Sequence, residues 1–212
     1  MSTLPRIAVL DYDAGNLRSA AKALERAGAA VTVTRDGGEA AAADALVVPG
    51  VGHFGQCVRQ FRSAGLEGLV RDWVAADRPL LGICVGMQIL YGASDEDPGT
   101  PGLGVLPGHV RRLPATVTVP HMGWNVVRAV GDDPLLAGVD GERCYFVHSY
   151  YADPSQDTHV VATCAYGPGF PAVVRVGASV GTQFHPEKSA AVGARLLGNF
   201  VADVRARAGA SA

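Results

Sequence analysis

The sequence predicts an α/β protein whose central sheet is mostly parallel. Strand-like and helix-like segments alternate between residues 6 and 84. The strand-like segments are continuous apolar runs, whereas a half-exposed strand would alternate apolar and polar residues. Strands that are apolar on both faces are typical of parallel sheets covered by helices on both sides. We therefore expect three layers, helix on sheet on helix.

Each element of the first half has its own pattern. Apolar runs predict strands at residues 6–12, 31–34, 45–48 and 80–83. Helical spacing predicts two helices, one through Leu17, Ala20, Ala21 and Leu24 and one through Leu66, Leu69, Val70, Trp73 and Val74. Asn16 is a candidate N-cap of the first helix, and Gly28 is its candidate stop.

The second half predicts short strands and one long helix. Residues 95–107 are rich in glycine, proline and acid, which predicts a loop. Short antiparallel strands are expected at residues 116–119, 124–128, 144–147, 160–165, 172–176 and 179–183. Val192, Leu196, Phe200 and Val204 repeat every four residues and predict a final helix, with Ser189 as a candidate cap. No repeat or linker divides the chain, so we expect a single domain over residues 1–212.

Composition and charge exclude several classes of function. The 212 residues carry a formal net charge of −2, which gives no reason to expect nucleic acid or an anionic membrane. No apolar run reaches the length of a membrane-spanning helix, and no signal peptide is recognisable. The four cysteines form no CxxC pair. We therefore expect reduced thiols, a cytoplasmic protein and no metal site.

Cys84 lies at a corner between a predicted strand and helix, in the segment GICVG (82–86). This pattern has the form of a nucleophile elbow, which exposes its central residue at the carboxyl end of the sheet. A helix N-terminus favours a thiolate, and the Val85 amide would point at an oxyanion. The alternative is a buried structural cysteine. We give that interpretation to Cys57, Cys144 and Cys164.

A thiol nucleophile needs a base and a group that orients the base. His185 lies in the segment FHPE (184–187), between an apolar run and the final helix, and Glu187 can turn back toward its ring. The segment PGVG (49–52) follows the third predicted strand and could supply a second oxyanion amide, from Val51 or Gly52. The alternative for PGVG is a plain turn between strand and helix.

Together, the segments GICVGMQ, PGVG and FHPE resemble the class I (triad-type) glutamine amidotransferases. The resemblance covers essentially the full chain. It implies a flavodoxin-like fold and no cofactor, with Cys84 as nucleophile, His185 as base and acid, and Glu187 as the residue that orients His185. It also implies hydrolysis of the glutamine side-chain amide through a γ-glutamyl thioester, with ammonia released to a partner active site.

Four further segments are similar to one branch of that family, the glutaminase subunits of imidazole glycerol phosphate synthases in histidine biosynthesis. They are DYDAGNLRS (11–19), PHMGWN (120–125), YFVHSYY (145–151) and KS (188–189). Asp13 stands where the family usually has glycine, and aspartate tolerates a positive φ better than most residues. PHMGWN argues against the glutaminases of pyridoxal phosphate, anthranilate, purine or guanylate synthesis, which share the triad.

The resemblance also implies roles for other side chains. Residues that would hold the glutamine are Gln88, His148, Ser149 and Tyr150. Residues that would face a partner are Trp124, Tyr145 and Lys188. Ordinary polar positions at the ends of elements, or a core position for Trp124, are the alternatives.

The partner implied is a separate (β/α)8-barrel cyclase subunit, in a heterodimer, because this chain contains no barrel of its own. The cyclase would use the ammonia to make imidazole glycerol phosphate and an aminoimidazole carboxamide ribotide. Activity should then depend on the partner. PGVG is a candidate switch, because a Val51 carbonyl pointing at the Cys84 thiol would leave the oxyanion hole incomplete. A partner-free γ-glutamyl hydrolase and a catalytically silent regulator remain alternatives.

Overall fold

A computed structural model describes residues 4–210 of the chain. Strands and helices alternate in the first half of that range. The strands are β1 (Arg6–Leu10), β2 (Ala30–Thr34), β3 (Ala45–Gly50) and β4 (Leu80–Cys84). The helices are α1 (Leu17–Arg26), α2 (Gly37–Ala41), α3 (Phe54–Ser63), α4 (Glu67–Ala75) and α5 (Val85–Gln88).

The second half is mainly β-structure and ends in a long helix. Its strands are β5 (Gly108–Arg112), β6 (His121–Ala129), β7 (Arg143–His148), β8 (Tyr150–Pro154), β9 (Val160–Cys164), β10 (Phe170–Val176) and β11 (Ser179–Thr182). The last helix is α6 (Ala190–Ala210). Short 3-10 helices lie at Pro134–Leu136, Asp157–His159 and Pro186–Lys188.

Within the described residues, nine strands form one sheet in the order β2-β1-β3-β4-β11-β10-β9-β6-β7. The strands from β2 to β11 run parallel to their neighbours, and β10, β9, β6 and β7 extend this core with antiparallel pairs. β5 and β8 form a separate antiparallel pair. The prediction of an α/β fold with a parallel core and short antiparallel strands is confirmed.

The parallel core forms because its central strands are apolar on both faces. Every residue of β3 and β4 is buried. Helix α1 is amphipathic instead, and it buries Ala20, Ala21 and Leu24. Burial of apolar surface contributes roughly 25 cal/mol per Å2, so these contacts hold the sheet and its covering helices together. Among residues 4–210, no helix is both long enough and apolar enough to cross a membrane.

Several elements differ from the sequence-based prediction. Residues 116–119 form a turn, not a strand, because the Val117 N–H bonds Pro114 O and no neighbouring strand pairs with them. Helices α2 and α3 and strands β5 and β8 were not predicted. The pattern of α3 was nevertheless present in the sequence. Phe54, Cys57, Val58 and Phe61 are its buried side chains at helical spacing.

Three backbone segments meet where β4 ends, and glycine is required in each. A Cβ atom on Gly86 would lie 1.9 Å from Val48 O, and one on Gly50 would lie 2.3 Å from Gly86 N. A Cβ atom on Gly82 would lie 2.6 Å from the Cα of Met87. Real Cβ atoms do not approach backbone this closely, so the glycines allow β3 and β4 to pack against α5.

We expect Gly86→Ala to lower the free energy of unfolding by roughly 1–3 kcal/mol, because its methyl group overpacks the backbone of β3. Gly198→Ala in α6 is the matched control, since its methyl group meets no atom within 4 Å. That control should stabilise the protein by up to about 1 kcal/mol, because alanine is the better helix former. Urea unfolding midpoints measure both effects, and equal effects would contradict this packing account.

Candidate active site

Cys84 occupies a strained backbone position at the end of β4. Its φ is 52° and its ψ is −116°, a combination that L-residues rarely adopt. Helix α5 begins at the next residue and contains only four residues. A helix this short contributes less of a dipole than expected, so the surrounding side chains carry more of the site's electrostatics.

His185 and Glu187 meet in the turn that follows β11. His185 Nδ1 lies 2.8 Å from Glu187 Oε1, and both side chains are only 1% exposed. Asn16 Nδ2 donates to the same Oε1 atom. Asn16 has the left-handed φ of 74° and makes no side-chain capping bond. Asn16 therefore occupies the predicted N-cap position of α1, but its side chain does not cap the helix, because its amide bonds Glu187 across the molecule.

The turn that carries His185 is tied to strand β7. The His185 N–H donates to Tyr145 O at 3.0 Å, and the Tyr145 N–H donates to Ser189 Oγ at 3.0 Å. The Ser189 hydroxyl donates to His185 O at 2.7 Å. Ser189 directly precedes α6, as predicted for a cap, but its hydroxyl stabilises the histidine turn.

The protonation of His185 follows from two opposing effects. Burial alone would lower its pKa, but its interactions with the Cys84 sulfur and the Glu187 carboxylate raise it to about 9. The ring is therefore protonated near neutral pH. Because the unfolded pKa is about 6.5, this pair stabilises the fold fully below that pH. The stabilisation is lost as pH rises through about 9.

A cavity of about 470 Å3 lies beside Cys84 and His185. This volume is in the range of small-molecule sites. Its lining is Asn16, Val51, Gly52, Cys84, Val85, Gln88, Glu96, Pro120, Val147, His148, Ser149, Tyr150, His185 and Lys188. The residues predicted to hold substrate or to form the oxyanion hole therefore all border one space. Glu187 is not among them and reaches the site through His185.

Two of the predicted substrate residues already have protein partners. His148 Nδ1 bonds Tyr150 O at 2.9 Å, and His148 Nε2 lies 3.1 Å from His121 Nδ1. Burial lowers the pKa of His148 to about 3, so its ring is neutral. Gln88 Nε2 donates to Tyr150 O at 2.8 Å and to Gln183 Oε1 at 3.1 Å. The His148 ring therefore shapes the wall, and Gln88 keeps only its oxygen for a ligand.

The PGVG loop is held from two sides. The Tyr12 hydroxyl donates to Pro49 O, and the Cys57 thiol donates to Val51 O at 3.4 Å. Burial, with the charges of Cys84 and Glu96, raises the pKa of Cys57 to about 11, so this thiol keeps its proton. The Val51 carbonyl is thus bonded to Cys57. Gly52 has a φ of 96°, which explains glycine at that position.

Of the residues predicted to face a partner, only Lys188 borders the cavity. Trp124 and Tyr145 are cross-strand neighbours on β6 and β7, with ring centroids 6.0 Å apart. Trp124 is 48% exposed and Met122, on the same face, is 64% exposed. Lys188 is exposed and borders the cavity. Trp124 is therefore a surface residue, not a core residue.

Sequence reasoning missed two buried or lining polar groups. Gln183 is fully buried, and its Nε2 lies 3.7 Å from Cys84 Sγ. A polar residue two positions before His185 was the signal that could have found it. Glu96 borders the cavity and accepts the Phe54 N–H at 2.7 Å, but its loop has no pattern that indicates this. Within residues 4–210 no group of His, Cys, Asp or Glu side chains could hold a metal ion.

The profile of the family described as glutamine amidotransferase class-I matches residues 8–204. The chain belongs to the class-I glutamine amidotransferase family. This membership confirms the family that the GICVGMQ, PGVG and FHPE segments predicted.

Individual class-I proteins are similar over nearly their whole length. The imidazole glycerol phosphate synthase subunit HisH of Deinococcus radiodurans is 50% identical over 199 residues, which cover 92% of this chain and 93% of the relative. The HisH subunit of Halobacterium salinarum is 49% identical over 205 residues, with 92% of each chain covered. A crystal structure described as glutamine amidotransferase has a TM-score of 0.75 at 25% identity, with 94% and 98% coverage.

For this class-I site, we expect Glu187→Gln to lower the pKa of His185 from about 9. The variant removes the carboxylate charge that favours the imidazolium. An NMR titration of the His185 ring protons measures the change. Glu39→Gln, at an exposed position on α2, is the control and should leave the titration unchanged. An unshifted His185 titration in Glu187→Gln would show that Glu187 does not hold the proton on the ring.

Proposed function

We propose that this chain is the glutaminase subunit of an imidazole glycerol phosphate synthase. It hydrolyses the side-chain amide of L-glutamine to glutamate and ammonia, and the ammonia passes to a cyclase subunit in histidine biosynthesis. The observation that carries the proposal is the meeting of Cys84 and the Glu187-bound His185 at one cavity of about 470 Å3. The names of the relatives support the same pathway.

The first half of the reaction forms a thioester. The Cys84 sulfur attacks the amide carbon of glutamine, and the carbonyl electron pair moves to oxygen. His185 gives the proton on Nε2 to the leaving nitrogen, the C–N bond breaks and ammonia departs. Nε2 suits this step because Nδ1 is bonded to Glu187, and no described protein group hydrogen-bonds the buried Nε2.

The second half of the reaction restores the enzyme. His185 Nε2 now accepts a proton from a water molecule, and the resulting hydroxide adds to the thioester carbon. The C–S bond breaks, its electron pair returns to Cys84, and glutamate is released. Glu187 accepts the hydrogen bond from His185 Nδ1 and stabilises the imidazolium, which gives up its proton in the first half-reaction and forms again in the second.

We assign the remaining lining residues to binding. The amides of Val85 and of Val51 or Gly52 would stabilise the oxyanion at the amide carbon. Gln88, Ser149 and Tyr150 would hold the glutamine backbone groups, and His148 would support Tyr150 from behind. The Glu96 carboxylate borders the same cavity and offers a charge for the α-ammonium group. Exclusion of water by the cavity would strengthen each of these interactions.

The partner in this proposal is a separate (β/α)8-barrel cyclase, and the two chains form a heterodimer. Trp124, Tyr145 and Lys188 are its docking residues, because exposed aromatic side chains are common interface anchors. We also propose that the chain is a single domain and acts in the cytoplasm. One continuous apolar cluster supports the first point, and four free, buried cysteines suit a reducing compartment.

Glutamate release from glutamine tests the function directly. We expect slow release by the chain alone and strong stimulation by a histidine-pathway cyclase that carries its own ligand. Cys84→Ala should abolish release, since loss of a nucleophile costs on the order of 10⁶ in kcat. Cys164→Ala, which removes a buried thiol in β9, is the matched control and should keep most of the activity.

Each outcome decides a different part of the proposal. Glutamate release by the Cys84→Ala variant at the normal rate would contradict the thioester mechanism. Full-rate hydrolysis by the chain alone would favour the partner-free γ-glutamyl hydrolase. Absence of stimulation by a cyclase that demonstrably binds would leave the glutaminase chemistry and point to another ammonia acceptor.

A further inference from the structure

Gln183 is a buried amide that the mechanism above does not use. It lies between β11 and the histidine turn, is fully buried, and its Nε2 is 3.7 Å from Cys84 Sγ. An amide without a partner is costly to bury. The Gln183 Nε2–H instead donates to the Cys84 sulfur. Sulfur is a weak acceptor as a thiol and a much stronger one as a thiolate.

The orientation of the Gln183 amide is fixed by its neighbours. Tyr150 O can only accept, so the Gln88 atom 2.8 Å from it must be the NH2 group. The same NH2 group lies 3.1 Å from Gln183, which must therefore present its oxygen to Gln88. The nitrogen of Gln183 is then the atom that faces Cys84. Flipping the amide would set NH2 against NH2 and oxygen against sulfur.

The Tyr150 carbonyl oxygen, which fixes the orientation of Gln88 and so of Gln183, also accepts a hydrogen bond from a second donor. His148 Nδ1 bonds it at 2.9 Å, so the neutral His148 ring accepts at Nε2 from His121 Nδ1. His121 Nε2 in turn accepts from Asn125 Nδ2 at 3.4 Å. A single assignment of hydrogen atoms therefore satisfies every hydrogen bond in the series that runs from Asn125 on β6 to the Cys84 sulfur. The donor at the sulfur is therefore oriented before substrate binds.

We propose that Gln183 is a further catalytic residue, whose Nε2–H donates to the Cys84 sulfur whenever that sulfur carries negative charge. This inference rests on Cys84 being the nucleophile of the proposed function. The bond stabilises the attacking sulfur before the thioester forms. It acts again when the C–S bond breaks and the sulfur takes the electron pair.

An amide suits this role because it donates without titrating. A lysine or histidine at the same position would carry its own proton and compete with His185 as the acid. The Gln183 amide keeps its N–H at every pH at which the protein is folded, so protonation of the leaving group stays with His185. A hydrogen bond to a charged group is worth more than one between neutral groups, which gives the effect its expected size.

Alkylation of Cys84 by iodoacetamide tests the inference, with the Cys84 peptide quantified by mass spectrometry over a range of pH. Gln183→Met keeps the volume and removes the donor. We expect the pH at half-maximal alkylation rate to rise by about one unit. In the complex with the cyclase, glutaminase kcat/KM should fall roughly 10- to 100-fold.

Two further variants make the result decisive. Gln183→Asn keeps a buried amide but moves the donor away from the sulfur by one methylene group, so it should shift the alkylation profile in the same direction. It replaces Gln183→Met if that variant does not fold. Gln56→Met, on the exposed face of α3, is the control and should leave the profile unchanged. Circular dichroism confirms folding of each variant.

The test separates this inference from the proposed function. Alkylation needs neither glutamine nor the cyclase, so a wrong partner assignment leaves the measurement intact. If a folded Gln183 variant has the alkylation profile of the unaltered protein, the inference is overturned. The glutaminase mechanism would then stand without Gln183.

Discussion

The site depends on one steric constraint, the close packing of β3 against the turn after β4. Gly50 and Gly86 bring their backbones so close that neither position has room for a Cβ atom. This packing holds Cys84 at a positive φ that an isolated chain would avoid. Parallel neighbours on both sides, β3 and β11, make the constraint rigid. The strain at one residue is therefore supported by the whole parallel core.

The buried polar atoms divide into those that are satisfied and those that are free. Gln88, His121, His148 and Gln183 have partners that leave little freedom of rotation. Among the described residues, the buried side-chain atoms without a partner include His185 Nε2 and Glu187 Oε2. Buried groups are usually paired, and the proposed proton transfers explain why Nε2 of His185, the proposed base, has no protein partner. The site therefore combines side chains held in fixed orientations with one unpaired nitrogen, His185 Nε2, that can exchange a proton.

Local sequence patterns predicted what is local in the structure. The elbow at Cys84 and the turn from His185 to Glu187 are short segments with strong backbone preferences, and both could be read directly. The bonding partners of Asn16 and Gln183 could not be read, because they lie 171 and 99 positions away in the chain. A residue such as Asn16 satisfies the rule for a helix cap equally well, and only the fold decides which bond it makes. The strand predicted at residues 116–119 was wrong for the same reason, because a segment with strand propensity forms a strand only where a neighbouring strand pairs with it.

Strands β6 and β7 connect the proposed docking surface to the proposed catalytic residues by two separate routes. One runs through backbone and hydroxyl bonds from Tyr145 to the turn of His185. The other runs from His121 through His148, the Tyr150 carbonyl and Gln88 to Gln183 and the sulfur. A subunit seated on Trp124 would press on the strands where both routes begin. Small movements of β6 and β7 would then act on both the proposed base and the proposed nucleophile.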